Sequence, residues 1–300
     1  MDFTPALKSK RENLSANSLK TYNSLLRTIY KNSFPEDKEA DIEKFTKQSN
    51  KIIDYLKSKN FATRKTLLAS LVCIAPDIDE YKKMMMGDIK TYTEEIDKQE
   101  SNDKQKENSV SNDEIREALL RLKQQADMIY KKKFISSEDI QKLQDYIILS
   151  LLSGFYIVPR RAMDYTELKI KGVGDDDNHI DKGKLVFQKY KTAKFYGKQV
   201  LDMPVQLKNI LNKYIAILPE KQEYLLVGST GQKLSSPSLN QRLNKMFDGR
   251  ISINALRHNY LTTKYKDVMI KNKELETTMN QMGSSENQAK IYIKINDKET

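Results

Sequence analysis

INALRHNYLTTKY, residues 253–265, and MGSSENQAKIYIKIN, residues 282–296, stand near the end of the chain and decide how the rest is read. Arg257 follows the polar Asn254 at a three-residue interval, and Tyr292 sits on a short helical pattern of its own. An arginine is permanently charged and presents a planar fork of donors suited to phosphate oxygens. A tyrosine hydroxyl held beside such a phosphate can attack it and form a covalent intermediate. Together they point to phosphoryl transfer on DNA.

Composition agrees with that direction. The 300 residues suffice for one large domain or two ordinary ones, and 38% hydrophobic content supports a real core. Lys+Arg 52 against Asp+Glu 41 gives a net charge of +11, the footprint of a polyanion binder, although solubility alone also accounts for such an excess. The single cysteine, Cys73, lies in the apolar run LLASLVCIA, so a disulfide framework is excluded and a core position is expected. That fits a reducing, intracellular compartment, cytoplasm or nucleus. The start of the chain lacks the apolar stretch of a signal peptide, and no segment has the length of a membrane span. Two histidines and one cysteine make no soft metal site, and no P-loop or dinucleotide glycine pattern occurs. Neither metal nor cofactor is expected.

Periodicity divides the chain. Four amphipathic helices are expected in residues 1–96: one on NSLKTYNSLLRTIYK with Asn17 or Ser18 as cap, one over 51–58, one from Thr63 and one from Asp77. The last carries a stripe through Tyr81, Met85, Ile89, Tyr92 and Ile96. Residues 97–112, nearly free of apolar side chains, read as a solvated linker that ends in a capping box, Ser111 with Glu114. Residues 113–300 begin with helices over 112–132 and 137–153. Short alternating segments follow, LKIKG, GKLVFQKY and KQVLDMP, as in a small antiparallel sheet. Helical spacing returns through Leu207, Ile210, Leu211 and Tyr214, then over 237–247, 254–265, 272–282 and 285–294. The expected fold is mainly α with a small antiparallel sheet.

Four segments, in order, resemble the tyrosine recombinase (phage-integrase-like) family. IVPRRAMDYTELKIKG resembles the first arginine box and gives the catalytic role to Arg161, with Asp164 and Leu168 completing the pattern and Arg160 as neighbour. LVFQKYKTAKFYGKQVLDMP resembles the hairpin that bears the family's catalytic lysine; its turn carries Lys191, the better match, and Lys194. INALRHNY is similar to the His-x-Leu-Arg box and gives Arg257. MGSSENQAKIYIK is similar to the Leu-Gly-His segment with its nucleophile and gives Tyr292. SLKTYNSLLRTIYK resembles the first helix of the family's core-binding domain, so the resemblance implies a two-domain DNA clamp, a helical core-binding domain followed by an α+β catalytic domain. The style of PRRAMDY, KTAKFYG and ALRHNY is nearest to recombinases of eukaryotic mobile elements and large DNA viruses. Two positions depart from the pattern: Asn254 replaces the usual histidine, and Ser284 stands where histidine or tryptophan is usual. Asparagine bonds a phosphate but exchanges no proton near neutral pH. His258 is a supporting candidate, and Ser284 either donates one bond to the phosphate or caps the Tyr292 helix.

The resemblance implies a 3′-phosphotyrosyl intermediate on double-stranded DNA. Arg161 and Arg257 would neutralise charge on the non-bridging oxygens and Lys191 would protonate the departing 5′ oxygen. It also implies a tetramer on DNA, with a monomer or weak oligomer when free. Lys20, Arg27, Arg64 and Lys65, off the apolar stripes, and Lys194 are candidate phosphate contacts. Each residue has a structural alternative. For Tyr292 the alternative is a core or surface position on an amphipathic helix, for Arg161 a helix-end surface charge, and for Arg257 a salt bridge with Asp164. Lys191 reads as a solvated charge, and His179, in DDDNHIDKG, as part of a hydrophilic turn. At the level of function the alternatives are type IB topoisomerase-like relaxation, a DNA-binding protein of the same fold with weakened catalysis, and a helical scaffold.

Overall fold

Phe3, Tyr30 and Phe45 meet in the interior of the first hundred residues, with ring centroids 5.2–5.8 Å apart. Helices α1 (Thr4–Lys10), α2 (Ala16–Ser33), α3 (Lys44–Lys47), α4 (Ser49–Lys57), α5 (Phe61–Ile74) and α6 (Asp79–Asp97) surround them. This computed structural model describes residues 1–293 and divides into two compact units, Met1–Ser101 and a second beginning at Asn102. The side chains of Ser15 and Asn60 accept the amides of Ser18 and Thr63, so α2 and α5 begin a few residues earlier than periodicity suggested. The one-turn α3 and the short α1 were invisible to a periodicity reading because neither repeats its apolar residue; each buries one, Phe45 and Leu7. The stripe expected along α6 is broken. Tyr81 is buried and Met85 and Ile89 are half-buried, but Tyr92 and Ile96 are exposed, and the other buried residue of the helix is Asp88, which is not one of the stripe residues.

Within the second unit, α7 (Asp103–Glu107) is a short exposed helix inside the segment read as linker. Full capping boxes, Ser111 with Glu114 and Ser136 with Asp139, start α8 (Asn112–Ile129) and α9 (Ser137–Leu152). Leu143, Ile147, Ile148, Leu151 and Leu152 make α9 the central helix, with α8, α12 (Val205–Ile215), α13 (Ser236–Met246) and α14 (Ile253–Gln281) packed about it. Between α9 and α12 lie α10 (Ala162–Thr166) and four strands, β1 (Leu168–Lys169), β2 (Asn178–Asp181), β3 (Lys184–Phe187) and β4 (Gln199–Asp202), with the single turn α11 (Ala193–Tyr196) joining the last two.

The sheet order is β1-β2-β3-β4. Its β2–β3 and β3–β4 pairs are antiparallel, whereas β1 runs parallel to β2, so the sheet is mixed and not wholly antiparallel. NHID, read from its hydrophilic flanks as a turn, is the strand β2: Asn178 pairs with Leu168, and His179 with Val186. The helices expected over 254–265 and 272–282 are one continuous α14, because the intervening KDVMIK holds neither glycine nor proline. The last helix, α15 (Glu286–Tyr292), begins at a Ser285–Gln288 capping box, so Ser285 and not Ser284 is its cap; Lys294, the expected end, lies outside the described residues. Among the described residues no helix is long and apolar enough to cross a membrane.

Gly154 governs how closely α14 approaches the end of α9. Its φ is +79°, and a Cβ there would lie 2.6 Å from the Tyr260 ring, one helical turn beyond Arg257. Both the backbone conformation and the close contact favour glycine. Gly154→Ala is expected to cost about 1–3 kcal/mol in urea unfolding. Part of that loss should be recovered in a Tyr260→Ala background, and an alanine variant as stable as wild type would refute the packing argument.

Candidate active site

Asp164, on the first turn of α10, is buried, and Arg160 holds it: Arg160 Nε donates to Asp164 Oδ2 at 2.7 Å. The same guanidinium donates from Nη1 to Gln199 Oε1 at 2.5 Å. It also lies 4.2 Å from the centroid of the Phe187 ring and 4.9 Å from that of Tyr190. The β3–β4 register sets Phe187 opposite Gln199, so a single side chain from the α10 loop grips the hairpin where its connecting loop begins and ends. Arg160 is thereby fully engaged within the protein.

Arg161 and Arg257 differ from it. Together with Arg160, Asp164, Tyr190, Thr192, Tyr196 and Gln199 they line an open cleft of about 260 Å³. Arg161 is exposed and Arg257 half-buried, and among the described residues neither guanidinium has a hydrogen bond or an ion pair, the Arg161 carbonyl accepting only the Asp164 amide. Burial first, and the Arg161 charge next, hold the Arg257 guanidinium below its ordinary pKa. The Arg257–Asp164 salt bridge considered from sequence does not form, because Arg160 occupies that carboxyl. Three guanidiniums thus face one carboxyl, and two of them lack a counter-charge. Such a cleft suits an oxyanion with several acceptor oxygens.

The second oxygen of Asp164, Oδ1, is buried without a hydrogen bond among the described residues. Burial accordingly pushes the Asp164 carboxyl above its ordinary value, against the opposing pull of Arg160 and then of Arg161 and Arg257.

Asn178, at the start of β2 and wholly buried, joins the two halves of the cleft. Its Nδ2 donates to the Asp164 carbonyl at 3.0 Å and to the Lys189 carbonyl at 2.9 Å. Its Oδ1 accepts the amides of Gln188 and Lys189 at 2.8 and 2.7 Å. The loop bearing Lys191 is therefore fixed to α10 through one amide side chain with all its polar valences used.

The remaining sequence candidates fall as follows. Lys191 is exposed, does not line the cleft, and stands between two residues that do, Tyr190 and Thr192; Lys194 is exposed on α11. Asn254 and His258 are exposed on the first turns of α14, flanking Arg257, and neither lines the cleft. Tyr292 is 66% exposed on α15, which packs on α14, where Met279 is the buried residue of the far half. About 33 Å of helix rise separates Arg257 from Met279, and Tyr292, on the helix that follows α14, does not line the cleft of its own chain. Ser284, between α14 and α15, does not line the cleft either, and its amide is bonded to the Met279 carbonyl.

In the first unit Lys20 and Arg27 are exposed. Arg64 is committed to the buried Asp88, with bonds of 2.8 and 2.5 Å, and ties α5 to α6. Lys65 lies over the Tyr92 ring, 3.1 Å from its centroid. Position off the apolar stripe did not reveal these partners, because both come from the next helix.

Arg160, Asn178, Tyr190, Thr192, Tyr196 and Gln199 were not singled out from sequence as site residues. For Gln199 a signal existed: pairing the two hairpin strands sets it opposite Phe187. For Asn178 there was none, since NHID lies among aspartates and glycines.

No protein-family model and no curated protein matches the chain. Solved structures that are similar to it include the XerA recombinase, at 12% identity over 88% of this chain and 84% of that one, with a TM-score of 0.38. A lambda integrase (75–356) dimer bound to a COC′ core site is similar at 16% identity over 89% and 91%, with a TM-score of 0.47. The XerH site-specific recombinase bound to its difH substrate is similar at 15% identity over 88% and 75%, with a TM-score of 0.44.

The raised Asp164 carboxyl sets a pH dependence. A carboxyl whose folded pKa exceeds its unfolded value of about 3.9 lends stability that is full below that value and is lost as pH rises through the folded one. Wild type should therefore lose stability relative to the non-titrating Asp164→Asn as pH is raised from about 3 toward 7. Urea midpoints of the two proteins measured across that range should converge or cross; parallel curves would contradict the assignment.

Proposed function

We propose that the chain is a DNA breaking-and-rejoining enzyme of the tyrosine-recombinase type, acting through a 3′-phosphotyrosyl intermediate. One observation carries the reading: Arg161 and Arg257 share a cleft in which Asp164, the only acid lining it among the described residues, is taken by Arg160. A DNA phosphodiester supplies the missing negative charge. The lysine-bearing β3–β4 connection stands at the edge of the same cleft.

In this reading the Tyr292 hydroxyl releases its proton to water, and its oxygen forms a bond to phosphorus as the bond from phosphorus to the 5′ oxygen breaks. Arg161 and Arg257 neutralise the non-bridging oxygens, and Lys191 gives its proton to the leaving 5′ oxygen. A 5′-hydroxyl from another strand then reverses the step and joins the exchanged DNA. Exchange between two duplexes calls for four clefts, hence a tetramer on DNA. Tyr292 reaches a cleft either by movement of its own α14–α15 arm or from a second copy. In this reading Asn254 and His258, flanking Arg257 outside the cleft lining, support the bound DNA, and Lys20, Arg27, Lys191 and Lys194 contact its backbone. Affinity should then fall steeply with salt.

Wild type incubated with nicked duplexes is expected to give a denaturation-resistant protein–DNA species, and Tyr292→Phe none. Arg257→Ala should lower its rate of formation about 10²–10³-fold. A species that persists in Tyr292→Phe refutes the nucleophile. Mixing Arg257→Ala with Tyr292→Phe decides delivery: a covalent species in the mixture assigns the tyrosine to a second copy, and none assigns it to its own chain.

A second reading is favoured by the absence of Tyr292 from the cleft lining of its own chain, namely a DNA-binding protein of this fold without catalysis. Salt-dependent binding with no covalent species in wild type would select it. Relaxation of a supercoiled circle with no partner strand joined would instead select a type IB topoisomerase.

A further inference from the structure

The turn that joins β3 to β4 exposes two consecutive aromatic side chains, Phe195 at 85% and Tyr196 at 69%. Tyr196 lines the arginine cleft, so the pair projects from its rim. An aromatic ring left in water gains nothing from the fold that carries it. This turn is nevertheless firmly built. The amides of Phe195 and Tyr196 are bonded to the Thr192 carbonyl and that of Gly197 to the Ala193 carbonyl. Gly197 takes φ 62° and ψ −159°, a conformation nearly confined to glycine. The Tyr190 hydroxyl donates to the Gly197 carbonyl at 2.6 Å, and the Tyr190 ring lies against the Arg160 guanidinium. The tip is therefore tied to the side chain that organises the cleft.

Lys191, Lys194 and Lys198 surround the tip, all exposed and none in an ion pair among the described residues. Three cations about two exposed rings are poorly matched to an apolar protein partner. They match a strand of nucleic acid, whose phosphates meet ammonium groups while its bases offer flat faces to rings. We propose that Phe195 is a stacking wedge. It inserts against a base beside the phosphate held by Arg161 and Arg257, so that the site takes DNA with an opened base step there better than an unbroken duplex. This rests on the DNA reading above and adds to it the state of the substrate that the cleft recognises.

The chain contains no tryptophan, so Phe195→Trp in the full chain gives a single emitter at the tip. Two short duplexes of one sequence serve as probes, one intact and one with a single-nucleotide gap, with binding followed independently by anisotropy of a dye on the DNA. Wild type should prefer the gapped duplex about tenfold, the measure of one base–aromatic stack. Phe195→Ala should bind both alike, and the Phe195→Trp emission should be quenched by the gapped duplex. Salt-dependent binding that is equal for both duplexes in wild type and Phe195→Ala, with the tryptophan emission unchanged, overturns the wedge and leaves the DNA reading intact. No binding to either duplex at low salt overturns both.

Discussion

One carboxyl organises the cleft. Asp164 is buried on α10 with three arginines near it, and its partner is settled by reach: Arg160, four residues earlier, folds back to bond it. Had Arg257 taken that position, the cleft would be neutralised from within. Because Arg160 takes it, Arg161 and Arg257 keep uncompensated charge, and Arg257 keeps it at the expense of burial. The anion-seeking character of the cleft is thus a consequence of an internal pairing that leaves two cations over.

The same pairing sets where the hairpin stands. Arg160 bridges from Asp164 to Gln199 and packs on Phe187 and Tyr190, so α10, β3 and β4 meet at one guanidinium. Asn178 repeats the connection from beneath, through the Asp164 carbonyl and the backbone at Gln188 and Lys189. Lys191 and the Phe195–Tyr196 tip are carried on a loop held at both ends. α14 delivers Arg257 from the other side, and Gly154 sets the closeness of that approach. α14 continues far beyond the cleft as one helix, and Tyr292, on the helix that follows, does not line the cleft with the arginines of its own chain.

Much of this was legible in the chain. The capping boxes at Ser111 and Ser136, the amphipathic runs of the first unit and the lysine turn between two strands all follow from local chemistry, which acts over a few residues. Arg161 and Arg257, far apart in sequence, were paired by motif order, and both line the cleft. β2 was missed because Asn178 is buried for its hydrogen bonds, a reason that hydrophobic patterning does not register. The pairing of Arg64, a candidate phosphate contact from sequence, with Asp88 was not legible because Asp88 lies on another helix. Residues 266–271 were read as a break in α14 because charged residues weaken the apolar period there, although nothing in them stops a helix.

Local spacing and residue type were enough to indicate a mostly helical chain with one lysine-bearing hairpin. Such features depend on neighbours three or four positions away, or two along a strand, and these are fixed by covalent connection. Which arginine meets Asp164, which amide locks the hairpin, and whether Tyr292 lines the cleft depend on groups brought together from remote positions. Those choices were made by burial and by competition for a single carboxyl, and they exist only once the chain has folded.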